Sequence, residues 1–228
     1  MSDNGEIELF RENTKKFLEK EILPFYDRWE KDEILPRSVW RALGENGFLC
    51  VDMPEEYGGA GASFRMSAVI VEEMSRLGFG ALASNVSVHN DIVAPYILHL
   101  GNEEQKRKWL PKMIAGEAVG AIAMTEPAAG SDLQGMKMRA DKVEGGYVLD
   151  GAKTFITNGQ HCDVIVMAAK TDTSKGGKGM TLFTVDTSLP GFTRGRNLEK
   201  IGQHAADTSE LFLEGVKAAL QADSAYMD

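Results

Sequence analysis

Cysteine is scarce in this 228-residue chain, with Cys50 and Cys162 the only two. Two cysteines cannot staple a chain of this length, which excludes a disulfide-framed fold. Both are expected as buried thiols in a reducing, cytoplasmic setting. No run of about 18 apolar residues occurs, so no membrane span is expected. The opening MSDNGEIELF has no basic stretch leading into an apolar one, and no secretory signal is expected. Basic charge is also in deficit: 25 Lys and Arg stand against 34 Asp and Glu, a net charge of −9. That argues against nucleic acid as a partner, because neutralising phosphates needs a cationic excess.

Several catalytic signatures are missing too. The four histidines, His89, His99, His161 and His204, show no helical ligand spacing, and neither cysteine belongs to a C-x-x-C pair, so no metal is expected. G-x-S-x-G, the Walker A run and G-x-G-x-x-G do not occur, and Gly58-Gly59-Ala60-Gly61 follows no strand.

What is present is an ordinary globular balance, 43% hydrophobic and 26% charged, arranged in two halves of different period. Up to about residue 116 the spacing is helical. Ile7, Phe10, Thr14, Phe17 and Glu21 follow a three-four rhythm that Pro24 is expected to close. Ser63 reads as the N-cap of a helix carrying Met66, Val69, Ile70, Met74 and Leu77, with Gly78 after it. Ala83 to Leu100 is a further apolar segment. Asn102 caps a helix opening on Glu103 and Glu104, and Pro111 is expected to start a fresh turn. Residues 51–61 form a Gly/Pro-punctuated loop.

After Gly116 short runs replace the helices: 120–124, 138–143, 147–149, 153–157, 164–170, 180–186 and 208–213. Glu144-Gly145-Gly146 and Asn158-Gly159 are hairpin-type turn signals. The expected fold class is α+β, an all-helical domain (1–116) followed by an antiparallel β-barrel or sandwich (117–217). Residues 218–228 form a tail that a short helix could continue.

Two stretches carry candidate chemistry. In AIAMTEPAAGSDLQG (121–135) an apolar strand runs into a turn of small residues with Thr125 and Ser131 at its two ends. Such a turn is a suitable nest for a phosphate, a pyrophosphate or a heteroaromatic edge, and equally a polar turn without a ligand. In KTFITNG (153–159) alternation sends Phe155 and Thr157 to one face and Ile156 to the other. That pair suits a flat ring ligand, one side chain stacking and the other hydrogen-bonding. Taken alone, a core phenylalanine beside a surface threonine is the simpler reading.

Together, AIAMTEPAAGSD and KTFITNG resemble the paired flavin-binding signatures of the acyl-CoA dehydrogenases. LGENGFLCVDMPEEYGGAG, GNEEQKRKWLPKMIAGE and IGQHAADTSELFLEGVK extend the resemblance over nearly the whole chain, and SVHNDIVAPYILHLG leans toward the long-chain branch.

The resemblance implies FAD as cofactor and an acyl-CoA substrate dehydrogenated to trans-2-enoyl-CoA, as in fatty acid β-oxidation. It implies electron-transfer flavoprotein as acceptor and a homo-oligomer, a tetramer in the family. It also implies two FAD-contacting segments. One is Ile122, Ala123, Met124, Thr125, Glu126, Pro127, Ala128, Ala129, Gly130 and Ser131; the other is Phe155, Ile156 and Thr157. Thr125 would meet the pyrimidine side of the flavin. Ser131 would bond the pyrophosphate and lie beside the acyl-CoA. Phe155 would stack where many relatives have Trp, Thr157 would bond near N5, and Ile122 would contribute backbone. The family's catalytic glutamate belongs to a C-terminal four-helix domain that is expected to be absent here, so no catalytic residue is named. Glu126 reads as a turn residue that fixes its loop. An acyl-CoA oxidase-type flavoenzyme and a non-catalytic FAD- or acyl-CoA-binding fragment remain alternatives.

Overall fold

The structure is a computed structural model and describes residues 3–219. Its first half is helical. α1 (Asp3–Phe17) passes through a π-turn, Leu18–Ile22, into α2 (Leu23–Asp32). Pro24 therefore does not close the stretch as expected. In the π-turn the Leu23 N–H donates to the Leu18 carbonyl, five residues back. A proline at the start of the next turn then has no bond to forfeit and the chain continues as helix. The extra residue also moves the buried stripe, so Ile22 and Tyr26 enter the core while Glu21 faces water.

The same device recurs in the apolar segment. α5 (Gly80–Ser87) passes through the π-turn Val88–Val93 into α6 (Ala94–Leu100), where Ala94 N–H donates to the His89 carbonyl and Pro95 follows.

α3 (Arg37–Glu45) and α4 (Phe64–Arg76) complete the first core, which buries Trp40, Leu43, Ile70, Met74 and Phe79. Each such side chain contributes about 1.5–3 kcal/mol by leaving water. Ser63 sits at the N-cap of α4 without a side-chain cap bond. Gly78, at φ +82°, reverses the chain after α4 so that Phe79 N–H reaches the Met74 carbonyl at 2.9 Å.

α7 (Glu103–Ile114) opens on a capping box. Gln105 N–H donates to Asn102 Oδ1 and Asn102 N–H to Gln105 Oε1, both at 2.9 Å. Replacing Asn102 by Ala takes the acceptor from Gln105 N–H, and a loss of about 1 kcal/mol is expected in a urea unfolding titration. Pro111 lies inside α7 and does not start a fresh turn. It sits on the exposed face, where the carbonyl its missing N–H leaves free is open to solvent.

The second half is a seven-stranded sheet: β1 (Gly120–Ala123), β2 (Arg139–Val143), β3 (Gly146–Thr157), β4 (Val164–Lys170), β5 (Met180–Asp186), β6 (Phe192–Asn197) and β7 (Thr208–Ala219). The order is β1-β4-β2-β3-β7-β6, with β5 on the other side of β4. All seven strands send side chains into one cluster, among them Ala121, Ile165, Phe183 and Leu211, so the sheet curls around its own core.

The sheet is mixed where an antiparallel one was expected, because β1 runs parallel to β4 and β2 meets β4 in parallel at Arg139 and Lys170. Glu144-Gly145 does turn a hairpin, β2 to β3. Asn158-Gly159 does not, since β3 and β4 are not paired. The expected runs 147–149 and 153–157 are one strand. Ala218 and Ala219 extend β7 opposite Tyr147 and Gly146 instead of opening a tail. The helix considered beyond them lies outside the described residues.

β4 is buried on both faces. Ile165 and Met167 face the sheet's core, while Val164 and Val166 pack with Ile97, Trp109 and Met113 of α6 and α7. That contact seats the sheet on the helices. Arg37 fastens the same seam by donating to the Glu117 carbonyl at 2.7 Å and pairing with Asp163.

Candidate functional site

β1 leads straight into the first candidate segment. Two backbone bonds close a tight reverse turn there: Glu126 N–H to the Ala129 carbonyl at 2.8 Å, and Ala129 N–H to the Glu126 carbonyl at 3.1 Å. Pro127 presets φ between them.

The buried Glu126 carboxylate reaches across the loop. It accepts from Lys137 N–H at 2.6 Å and from Met138 N–H at 3.2 Å, tying the loop's entry to its exit. Pro127, Ala128, Gly130 and Ser131 are left exposed, Ala129 is buried and Thr125 is half-buried. Ile122 points the other way, toward the cluster shared with α6 and α7.

The second segment is shaped by a bulge. The register of β3 against β7 slips between Lys153 and Ile156, and Phe155 adopts φ +58°. A bulge adds one residue to the strand, so consecutive side chains no longer alternate. Lys153 and Thr154 both turn inward, Phe155 turns out, Ile156 returns to the core and Thr157 is half-buried. Phe155 is 68% exposed, so the core reading of this ring is overturned. A bulky residue held in the left-handed region costs of order 1–3 kcal/mol, and such strain concentrates at ligand sites.

Hydrogen bonds lace the two segments together. Thr154 N–H donates to the Thr125 carbonyl at 3.0 Å. The Lys153 ammonium, fully buried, donates to the Met124 carbonyl at 3.0 Å and to Glu126 Oε1 at 2.9 Å. Burial pulls Lys153 below the ordinary lysine range, and the bond to Glu126 opposes that pull. Ser131 stays outward on the loop, beyond these bonds.

Sequence reasoning passed over three positioning groups. Lys153 is one; a cation within an otherwise core-bound strand was the available signal. Asn158, at φ +64°, donates its side-chain amide to the Asn85 and Gly120 carbonyls, both at 3.0 Å, and so joins the end of β3 to α5 and β1. His89 is the third. Its Nδ1 accepts from Gly120 N–H at 3.0 Å, which leaves Nε2–H to donate to the Met113 carbonyl at 3.1 Å. Among the described residues no cluster of three or more His, Cys, Asp or Glu is placed to hold a metal ion. No described helix is long and apolar enough to cross a membrane.

Comparison with known proteins bears on this geometry. Residues 4–117 match the family model "Acyl-CoA dehydrogenase, N-terminal domain", and residues 121–216 match "Acyl-CoA dehydrogenase, middle domain". The chain is 41% identical over 216 residues to long-chain specific acyl-CoA dehydrogenase, mitochondrial, of Sus scrofa, covering 94% of this chain and 50% of that protein. An acyl-CoA dehydrogenase from Geobacillus kaustophilus superposes with a TM-score of 0.91 at 52% identity, over 94% of this chain and 56% of that one. An acyl-CoA dehydrogenase complexed with FAD from Bacillus anthracis gives a TM-score of 0.86 at 35% identity, over 94% of this chain and 37% of that one. The chain spans about half the length of the curated relatives it matches. With both halves matched in order and the two segments laced as described, this chain belongs to the acyl-CoA dehydrogenase family.

Proposed function

We propose that this chain serves the FAD-dependent α,β-dehydrogenation of a fatty acyl-CoA thioester to the trans-2-enoyl-CoA, with electrons passed on to an electron-transfer flavoprotein. One observation supports the reading: a backbone bond from Thr154 to Thr125 joins the two segments at the bulge that turns the Phe155 ring outward, with Thr125 and Thr157 both half-buried. The FAD-bound relative from Bacillus anthracis supports it.

The residues suit a flat heteroaromatic group. Covering the exposed Phe155 ring removes apolar surface from water, and the two hydroxyls offer both donors and acceptors to a polar ring edge. Ser131, outward on the same loop, would bond the pyrophosphate and border the acyl-CoA, while Thr125 would meet the ring's edge and Ile122 would offer only its backbone. Bound here, FAD would supply the acceptor for the substrate's β-hydride.

The chain's own task is to position and to exclude water. An acyl α-proton is too weakly acidic for a carboxylate in water, and a dry, polarising site narrows that gap. Glu126 is not the base, because its oxygens are already committed to Lys153, Lys137 and Met138.

In the protein loaded with FAD, Thr157→Val is expected to raise the cofactor Kd about fivefold, the value of one hydrogen bond. Quenching of flavin fluorescence reads this directly, and an unchanged Kd would count against the assignment.

A further inference from the structure

We propose that Lys153 is a positioning residue that clamps Thr125 for the flavin, an inference that rests on the cofactor reading above. The geometry is local. The Lys153 ammonium grips the residue before Thr125, through the Met124 carbonyl at 3.0 Å, and the residue after it, through Glu126 Oε1 at 2.9 Å. The next residue along β3, Thr154, holds the Thr125 carbonyl itself at 3.0 Å. Two consecutive β3 residues thus hold all three residues centred on Thr125.

The clamp sits at the bulge: the register slips just after Lys153, Lys153 and Thr154 are both buried, and Phe155 is turned outward. Lys153 is fully buried, so it is not a surface charge resting on a convenient carbonyl. Two of its N–H donors are committed to the loop, one to the Met124 carbonyl and one to Glu126 Oε1, on either side of Thr125.

The double variant Glu126→Gln/Lys153→Met tests the clamp. It removes both buried charges together, so it escapes the penalty that a lone charge imposes on either single variant. The double variant is expected to fold, with its melting temperature above that of Lys153→Met alone. Its Kd for FAD, followed by fluorescence quenching, is expected to rise up to about fivefold, the value of the Thr125 hydrogen bond that the clamp holds in place.

Thr125→Val supplies a second readout that a merely structural role would leave alone. It should weaken FAD binding about fivefold beside an intact Lys153 and hardly at all in the double-variant background, because a released hydroxyl has little left to lose. Equal effects of Thr125→Val in the two backgrounds, or an unchanged Kd in the folded double variant, would overturn the clamp. Failure of the unsubstituted protein to bind FAD would instead overturn the cofactor reading, and this proposal with it.

Discussion

Glu126→Ala is expected to remove about 3–5 kcal/mol of stability, the largest single-residue effect predicted for this protein. The Lys153 ammonium would remain fully buried without its counter-ion, and the Lys137 and Met138 N–H groups would lose their acceptor. An uncompensated buried charge costs far more than a surface pair is worth, because no water replaces the lost partner. Urea titration of Glu126→Ala, Lys153→Met and the double Glu126→Gln/Lys153→Met should show both single variants strongly destabilised and the double variant close to the original. The double variant keeps an acceptor for the two backbone groups and leaves no orphan charge. A loss below about 1 kcal/mol in Glu126→Ala would mean that the ammonium finds water after all.

Acid should weaken the fold through His89. This imidazole is fully buried, and its pKa is pulled from 6.5 down to about 4. Burial is the main cause; the bond to the Met113 carbonyl opposes it, nearby Arg37 adds to it and Asp163 offsets part of it. The hydrogen bonds agree, since a protonated ring could no longer accept from Gly120 N–H at the head of β1. The sign follows from linkage. The unfolded chain takes up the proton near pH 6.5 and the folded one only near pH 4. The stabilisation from a neutral His89 is therefore complete above pH 6.5 and drains away as the pH falls toward 4, by about 3 kcal/mol in all at 1.36 kcal/mol per pH unit. Comparing unfolding free energies of the original protein and His89→Gln from pH 7.5 to 4.5 isolates this share from other groups. The two curves should converge as the pH drops. Parallel curves would show that His89 titrates alike in both states.

Much of the architecture was legible because it depends on local chemistry. The Asn102 cap and the Gly78 stop lie beside the helices they bound. The strands Val164–Lys170 and Met180–Asp186 were readable to the residue. β4 is buried on both faces and so reads as an unbroken apolar run between polar turns. β6 was missed for the opposite reason. Phe192–Asn197 is a polar edge strand carrying two arginines and a glycine, and only its ladder with β7 marks it as strand. Two prolines misled for different reasons: Pro24 follows a π-turn that has already given up the bond, whereas Pro111 is carried inside α7 on its exposed face.

Residue types and their spacing settled by themselves that a helical half precedes a β half, and that two hydroxyl-bearing segments with the acyl-CoA dehydrogenase pattern lie within the latter. Tertiary structure alone decided that Phe155 faces outward, that Lys153 faces inward, and that Glu126 meets it from 27 positions away. The reason is physical. A pattern of side chains specifies which face of an element seeks the core, but a bulge, a parallel ladder or a buried ion pair forms only when distant strands close on one another.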